Sequence, residues 1–274
     1  MAITASQVNE LRKQTGAGMM DCKKALVEAD GDMEKAIDFL RKKGQKVAAK
    51  RGDNEANEGL IFAESKGDVG YIIKLNCETD FVAKNADFQS FVKSILTVGI
   101  ENGVDSVDEL KKLKYNDKLT VEEKLVEQIG VIGEKLDLSD FAKVSATCVV
   151  AYNHPGNQLA TLIGLNKEGE EVNDAGRQVA MQVAAMNPVA LNKEGISQDV
   201  IDNELQVGKD QAIEEGKPAD LADKIAQGRL NKFFKENTLL SQAFVRDNKL
   251  SVEQFLNSVE SGLTVTDFKR FSLS

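Results

Sequence analysis

The sequence predicts an α+β fold, because helical and strand-like patterns of apolar residues alternate along it. Three observations support this prediction. Helical spacing of apolar residues fills residues 1–45, a strand–turn–strand pattern followed by an amphipathic helix occurs twice in the middle of the chain, and two long helical stripes follow Pro188. An ordinary domain has roughly 100 to 200 residues. The 274 residues therefore have room for two or three domains.

Residues 1–45 are predicted to form three helices. Thr4-Ala5-Ser6-Gln7 has the form of a capping box at the start of the first helix. Gly16 and Gly18 separate the first helix from the second. Asp32 can cap the third helix, and Gly44 is its predicted stop. From residue 46 to 59 the composition turns polar and loses its apolar periodicity, which predicts a linker.

The middle of the chain is predicted to contain two related halves, residues 60–140 and 141–196. In the first half, apolar strand patterns at residues 60–63 and 70–75 flank a polar turn. An amphipathic helix marked by Phe88 follows them.

The second half repeats this order. Strand patterns at residues 148–152 and 161–166 flank a turn sequence, and a helix marked by Val179 comes next. Residues 107–136, before this second half, are charged and predicted to be helical. We therefore expect a core made of two β-hairpin-plus-helix subdomains.

A helical hairpin is predicted over residues 197–237. Narrow apolar stripes run along both arms, and Gly216-Lys217-Pro218 turns the chain between them. Such stripes are typical of an antiparallel coiled-coil pair that protrudes from a body. Residues 238–274 are expected to return to the second subdomain, and alternation over 263–271 predicts a final strand.

Composition and charge exclude several classes of protein. The net charge of -9 argues against a generic nucleic-acid-binding protein, which needs a basic face, so we expect no direct nucleic-acid partner. A basic cluster from Arg41 to Arg51 is interpreted as a solvated helix end and linker. No apolar run approaches the roughly 20 residues of a membrane helix. The N-terminus lacks the features of a signal peptide, so we expect a cytoplasmic protein without a membrane partner.

The residues needed for catalysis or cofactor binding are sparse. The three cysteines, Cys22, Cys77 and Cys148, are scattered singly, so we interpret them as reduced, mostly buried thiols. The single histidine, His154, lies in a predicted hairpin turn. Gly16-Ala17-Gly18 follows a helix rather than a strand, which argues against a dinucleotide-binding loop. We predict no metal, no cofactor and no enzymatic reaction.

The most informative segment is residues 76–84. An apolar strand ends there, and Thr79 and Asp80 are N-cap residue types. Phe81 is therefore expected in a tight turn or in the first turn of a helix, where its ring can stand clear of the core. Two interpretations follow: Phe81 contacts another protein, or it is an ordinary core side chain behind a cap.

Two long motifs carry a family resemblance. Residues 15–26, with Ala29-Asp30-Gly31-Asp32 after them, and then residues 76–84, resemble the translation elongation factor Ts family. The two-halved middle, the helical hairpin and the ending Phe268-Lys269-Arg270-Phe271 follow the order of that family, so the resemblance covers essentially the whole chain. It implies a ubiquitin-associated (UBA)-like three-helix domain at the N-terminus. It also implies the activity of a guanine nucleotide exchange factor, which promotes GDP release from elongation factor Tu.

The resemblance also implies roles for particular residues. Asp80 and Phe81 would enter the partner near its Mg²⁺ site, where the ring wedges between helices. Met19 and Met20, on the loop between the first two helices, would pack on the GTPase domain together with Leu11. The full set of partner-binding residues implied is Thr79, Asp80, Phe81, Val82, Leu11, Met19, Met20 and Gln182.

Two positions depart from the family pattern. Family members commonly carry histidine at the position of Gln182, and glutamine keeps hydrogen bonding but cannot become charged. Ala160 stands where glycine is common, and its methyl group adds bulk where close backbone approach is wanted.

Alternatives remain open at this stage. The expected partner is elongation factor Tu, both GDP-bound and nucleotide-free, and a homodimer through the helical hairpin is a further alternative. The three-helix module could instead make the chain a UBA-like protein-binding adaptor. A cysteine hydrolase built on one of the three thiols is the least favoured class, because no spacing supports it.

Overall fold

The computed structural model describes residues 3–273, apart from the side chain of Asp220. These residues divide into two compact units. The first unit contains residues 3–62, 73–142 and 271–273, and the second contains residues 63–72 and 143–270. The mixture of helices and small sheets confirms the predicted α+β class.

The first unit begins with three helices, α1 (Ala5–Thr15), α2 (Met19–Glu28) and α3 (Met33–Arg51). The capping box at Thr4 and the cap at Asp32 are confirmed, and Gly16 ends α1 in the left-handed conformation. The helices enclose a small core of apolar side chains. Its buried members are Val8, Leu11, Ala17, Cys22, Ala25, Leu26, Ala29 and Ala36.

Helix α3 corrects two predictions. It does not stop at Gly44 but continues to Arg51, so residues 46–51 are helical rather than part of a linker. The reason is packing against α7 (Val121–Ile132). A Cβ atom on Gly44 would lie 2.9 Å from the carbonyl oxygen of Val126, and one on Gly130 would lie 2.6 Å from the Cα atom of Gly44. Gly44 is therefore required for the close approach of two helices and does not terminate α3.

The remaining elements up to residue 145 form a sheet and its covering helices. Strands β1 (Glu58–Lys66), β2 (Val69–Cys77) and β3 (Leu136–Ser145) form one sheet in the order β1-β2-β3. Between β2 and β3 lie α4 (Asp80–Ala83), α5 (Ala86–Asn102), α6 (Val107–Lys112) and α7. The predicted hairpin and amphipathic helix are confirmed. Strand β3 was not predicted, and it begins at Leu136, where the segment predicted to be charged and helical ends.

The second unit repeats this arrangement. Strands β4 (Cys148–Asn153) and β5 (Leu159–Leu165) pair antiparallel, with Cys148 opposite Leu165 and Asn153 opposite Ala160. Helix α8 (Glu170–Met186) follows, and β8 (Val265–Ser272) completes the sheet in the order β4-β5-β8. Both sheets thus consist of a hairpin with a third strand beside its second strand. The predicted internal repeat is confirmed.

A helical hairpin is inserted in the second unit, as predicted. Its arms are α9 (Gln198–Glu214) and α10 (Ala219–Asn237). Small residues let the arms approach closely, because a Cβ atom on Gly208 would lie 3.2 Å from the Cα atom of Ala226. The guanidinium group of Arg229 donates to the oxygen of Gly208 and to the side chains of Gln211 and Glu215.

A short hairpin and one helix follow α10. Strands β6 (Ala243–Phe244) and β7 (Asp247–Ser251) pair with each other, and α11 (Val252–Val259) leads towards β8. Across residues 3–273, no helix combines the length and apolar character needed to cross a bilayer.

Candidate partner-binding site

Helix α4 places Phe81 on the surface. Thr79 is its N-cap, with the side-chain oxygen accepting a hydrogen bond from the backbone N–H of Val82 at 3.4 Å. Phe81 is 82% exposed, whereas Ala83 on the same helix is buried. The interpretation of Phe81 as a core side chain is therefore wrong. The exposed ring forgoes the roughly 1.5–3 kcal/mol that burial of a large apolar side chain contributes.

Asp80, beside the ring, is held as an anion. Its carboxylate accepts a hydrogen bond from Lys84 Nζ at 2.6 Å. This bond, assisted by the positive charge of Lys84, lowers the pKa of Asp80 below its usual value. An ionised carboxylate and an exposed phenyl ring thus occupy consecutive positions on one short helix, and the ring is open to a partner.

A second carboxylate holds the start of this helix. Glu134 lies between α7 and β3, and its Oε2 atom accepts from the backbone N–H groups of Glu78 and Thr79, at 3.2 and 3.1 Å. Its Oε1 atom accepts from the hydroxyl group of Thr79 at 2.7 Å. Three donors from consecutive residues therefore converge on one carboxylate.

Glu78 returns the interaction. Its carboxylate accepts from the backbone N–H of Lys135 at 2.5 Å, from Arg51 Nη1 at 2.8 and 3.0 Å, and from Asn54. Burial, the largest single effect, raises the pKa of Glu78. The hydrogen bonds from Lys135, Arg51 and Asn54, with the charge of Arg51, outweigh it and lower that pKa overall. Glu78 thereby links the end of α3 to the start of α4.

The neighbouring thiol is protonated under ordinary conditions. Burial, reinforced by the negative charge of Glu134, raises the pKa of Cys77 to about 12.

All three cysteines are free and buried, as predicted. His154 is exposed in the β4–β5 turn, also as predicted, where its ring nitrogen is bonded to the hydroxyl group of Tyr152. Within the described part of the chain, no three His, Cys, Asp or Glu side chains are grouped to hold a metal ion.

The three apolar residues of the N-terminal module that were predicted to contact a partner, Met19, Met20 and Leu11, differ in exposure. Met19 and Met20 are 55% and 75% exposed, and they form the first turn of α2 rather than the loop before it. Leu11 is fully buried in the core of the module. The expectation that Leu11 contacts a partner is therefore wrong, because Val8, Leu11 and Thr15 form the inward-facing stripe of α1.

Comparison with known proteins decides the family. The family model described as "Elongation factor TS" matches residues 78–274. The chain belongs to the elongation factor Ts family. An elongation factor Ts of Christiangramia forsetii is 52% identical over 99% of this chain and 98% of the relative. That of Amoebophilus asiaticus is 52% identical over 98% of both chains, and that of Porphyromonas gingivalis is 47% identical over 100% of this chain and 99% of the relative.

Membership in the elongation factor Ts family assigns the chain to the elongation stage of protein biosynthesis. The region matched by the family model includes α4 and Glu134. Met19 and Met20 lie outside that region but within the part of the chain covered by the full-length relatives.

Gln182 is a structural residue of the second unit. Its side chain is fully buried, donates to the side chain of Gln242 and the oxygen of Ala243, and accepts from the backbone N–H of Val245. The expectation that Gln182 contacts a partner is wrong, because these bonds satisfy its amide inside the second unit. Ala160 is also buried, at the end of the β4–β5 pairing.

Glu134 is not among the residues predicted from the sequence to belong to this site. Glu134 and Thr79 are far apart along the chain, and no local motif relates a carboxylate after a helix to the N-cap of another helix. The one available signal was the capping residue Thr79 itself, which identified the start of α4 but not its support.

Proposed function

We propose that the chain binds elongation factor Tu in its GDP-bound form and promotes GDP release, so that GTP can bind in its place. The observation that carries this proposal is the exposed ring of Phe81 beside the anionic Asp80, on a helix fixed at its start. Membership in the elongation factor Ts family supports the same partner and a cytoplasmic site of action.

The mechanism requires no bond chemistry in this chain. GDP in a GTPase is held by backbone N–H groups of the phosphate loop and by Mg²⁺. A factor that binds a conformation lacking those contacts weakens GDP binding, and GDP weakens binding of the factor by the same amount. The complex with nucleotide-free partner therefore forms as GDP leaves and dissociates when a nucleotide returns.

In this proposal the residues of α4 act near the Mg²⁺ site of the partner. Asp80 and Phe81 enter the partner together, and the ring of Phe81 inserts between helices and disturbs the coordination of the cation. Thr79 and Val82 complete the contact, since both are partly exposed beside the ring. No cofactor takes part, and the chain is an exchange factor rather than an enzyme.

Met19 and Met20 form a second proposed contact, with a helix of the GTPase domain. Both side chains are exposed at the start of α2. Methionine is unbranched and polarisable, which suits an adaptable apolar surface.

The test is release of a fluorescent GDP analogue from elongation factor Tu, with this chain in catalytic amounts. Phe81→Ala is expected to slow release at least about tenfold, because buried aromatic anchors contribute about 2 kcal/mol or more to an interface. Val245→Ala is the matched control: Val245 is also an exposed apolar residue, but it lies in the second unit. The control should match wild-type release.

Three results would contradict parts of the proposal. No acceleration by the wild-type chain would overturn the exchange function. Binding without acceleration would favour the adaptor alternative. Wild-type release by Phe81→Ala, with an unchanged circular dichroism spectrum, would remove the ring from the mechanism.

A further inference from the structure

We propose that Glu134 is a positioning residue for exchange, whose carboxylate fixes the orientation of α4 and thereby the direction of the Phe81 ring. This inference rests on the proposed function. In this proposal Glu134 makes no contact with elongation factor Tu and acts through Thr79.

The geometry is a reciprocal clamp between two chain segments. Glu134 accepts from the backbone N–H groups of Glu78 and Thr79, while Glu78 accepts from the backbone N–H of Lys135. Each segment thus supplies a carboxylate to the backbone of the other. These bonds restrict the distance and the rotation of one segment relative to the other, because both oxygens of Glu134 bind residues 78–79 and the Lys135 N–H binds Glu78 in return.

Thr79 transmits this constraint to the helix. Its hydroxyl group donates to Glu134 at 2.7 Å and accepts from the N–H of Val82 at 3.4 Å. With its one hydrogen directed to Glu134, the oxygen presents a lone pair to the first turn of α4. Phe81 lies between the two bonded residues, so the orientation of its backbone follows from the position of Thr79.

Phe81 depends on this support because little else holds it. With 82% of the residue exposed, its ring is not oriented by core packing. A four-residue helix is also too short to be stable alone. The direction of the ring is therefore set by the backbone of α4, and the clamp holds the start of that backbone.

The chemistry of the site requires an acceptor with no proton. An ionised carboxylate is acceptor-only, which suits three donors at once. Glutamine keeps one carbonyl oxygen for the backbone N–H groups, and its amide group can donate to the hydroxyl oxygen of Thr79. Glu134→Gln should therefore keep part of the clamp, whereas Glu134→Ala removes all three bonds.

The experiment combines two measurements on the full chain. GDP release from elongation factor Tu is measured for wild type, Glu134→Gln, Glu134→Ala, Phe81→Ala and the double variant. Amide hydrogen exchange is measured on the same proteins for peptides covering residues 78–85. The matched control is Glu109→Ala, since Glu109 is an exposed glutamate that accepts from the backbone N–H of Asp105 elsewhere in the first unit.

We expect Glu134→Ala to slow GDP release at least about tenfold, as expected for loss of the ring itself. Glu134→Gln should be intermediate, and Glu109→Ala should match wild type. In the Phe81→Ala background, Glu134→Ala should cause a clearly smaller loss than in the wild-type background, because residues that act through one another are not additive. Amide exchange should accelerate in residues 78–85 and stay unchanged in α8.

Full additivity in the double variant, or wild-type release by Glu134→Ala, would overturn the inference. So would accelerated amide exchange throughout the chain, which would indicate a merely structural role. Failure of the proposed function is distinguishable, because the wild-type chain would then not accelerate release at all. The amide exchange data would in that case still decide whether Glu134 holds α4.

Discussion

Exposure separates the residues that sequence reasoning grouped into one partner-binding set. Phe81 and Met20 are exposed, while Leu11 and Gln182 have no accessible surface. The difference follows from the helix face on which each lies. Leu11 belongs to the buried stripe of α1, and Gln182 is one of the buried residues of α8, as are Val179 and Val183. A residue on such a buried stripe stabilises the fold and has no surface for contact with a partner.

Substituting Met20 and Leu11 by alanine should therefore have opposite consequences. Met20→Ala should change the free energy of unfolding by no more than about 0.5 kcal/mol, since it truncates an exposed side chain. It should nevertheless raise the concentration of the chain needed for half-maximal GDP release. Leu11→Ala should lower the free energy of unfolding by about 2–5 kcal/mol, because it leaves a cavity in a buried core. Urea unfolding and a titration of the release assay measure both effects, and a Met20→Ala variant as unstable as Leu11→Ala would contradict this division.

At the scale of elements, the features that depend on neighbouring residues could be predicted from the sequence. The cap at Thr79, the two hairpins and the helices after them all follow from neighbouring residues. The end of α3 could not be predicted in this way. Gly44 is a helix stop by its residue type, but its contact with Gly130 on α7 depends on the folded structure. Glu134 escaped prediction for the same reason, since its partners Glu78 and Thr79 are adjacent only after folding.

The packing of α3 against α7 predicts that a glycine-to-alanine substitution there lowers stability, whereas such a substitution inside a helix usually raises it. Replacing glycine by alanine inside a helix ordinarily stabilises it by about 0.5–1 kcal/mol. Gly130→Ala should instead destabilise the chain by about 1–3 kcal/mol, because the new methyl group would meet the backbone of Gly44 and force the helices apart. Gly228→Ala is the control, since a Cβ atom there has no atom within 4 Å. Urea unfolding of both variants is the measurement, and a stabilised Gly130→Ala would show that the helices can separate at little cost.

At the scale of the whole molecule, charge and topology agree with a protein-binding rather than a nucleic-acid-binding factor. The chain carries a net charge of -9. Half of the six cations in the basic cluster on α3 form ion pairs, since Arg41 pairs with Glu123, Lys43 with Asp21 and Arg51 with Glu78. These ion pairs reduce the number of cations on α3 that could replace counterions on a phosphate backbone. The residues proposed to contact the partner all belong to the first unit, whereas the helical hairpin belongs to the second.

This division predicts that the outer part of the helical hairpin can be removed without losing exchange. Gly208 lies against Ala226, so residues 206 and 228 stand at matched positions on α9 and α10. Deleting residues 206–228 and joining Leu205 to Arg229 through a short Gly-Ser bridge leaves the base of both helices in place. It also leaves the bridge between Ala190 and Thr238.

GDP release should stay within about twofold of wild type, which corresponds to roughly 0.4 kcal/mol in the barrier. Circular dichroism should show only the loss of the deleted helical turns, and sedimentation of both proteins tests whether the hairpin also mediates a homodimer. Loss of exchange by a folded deletion variant would place the hairpin in the contact with the GTPase.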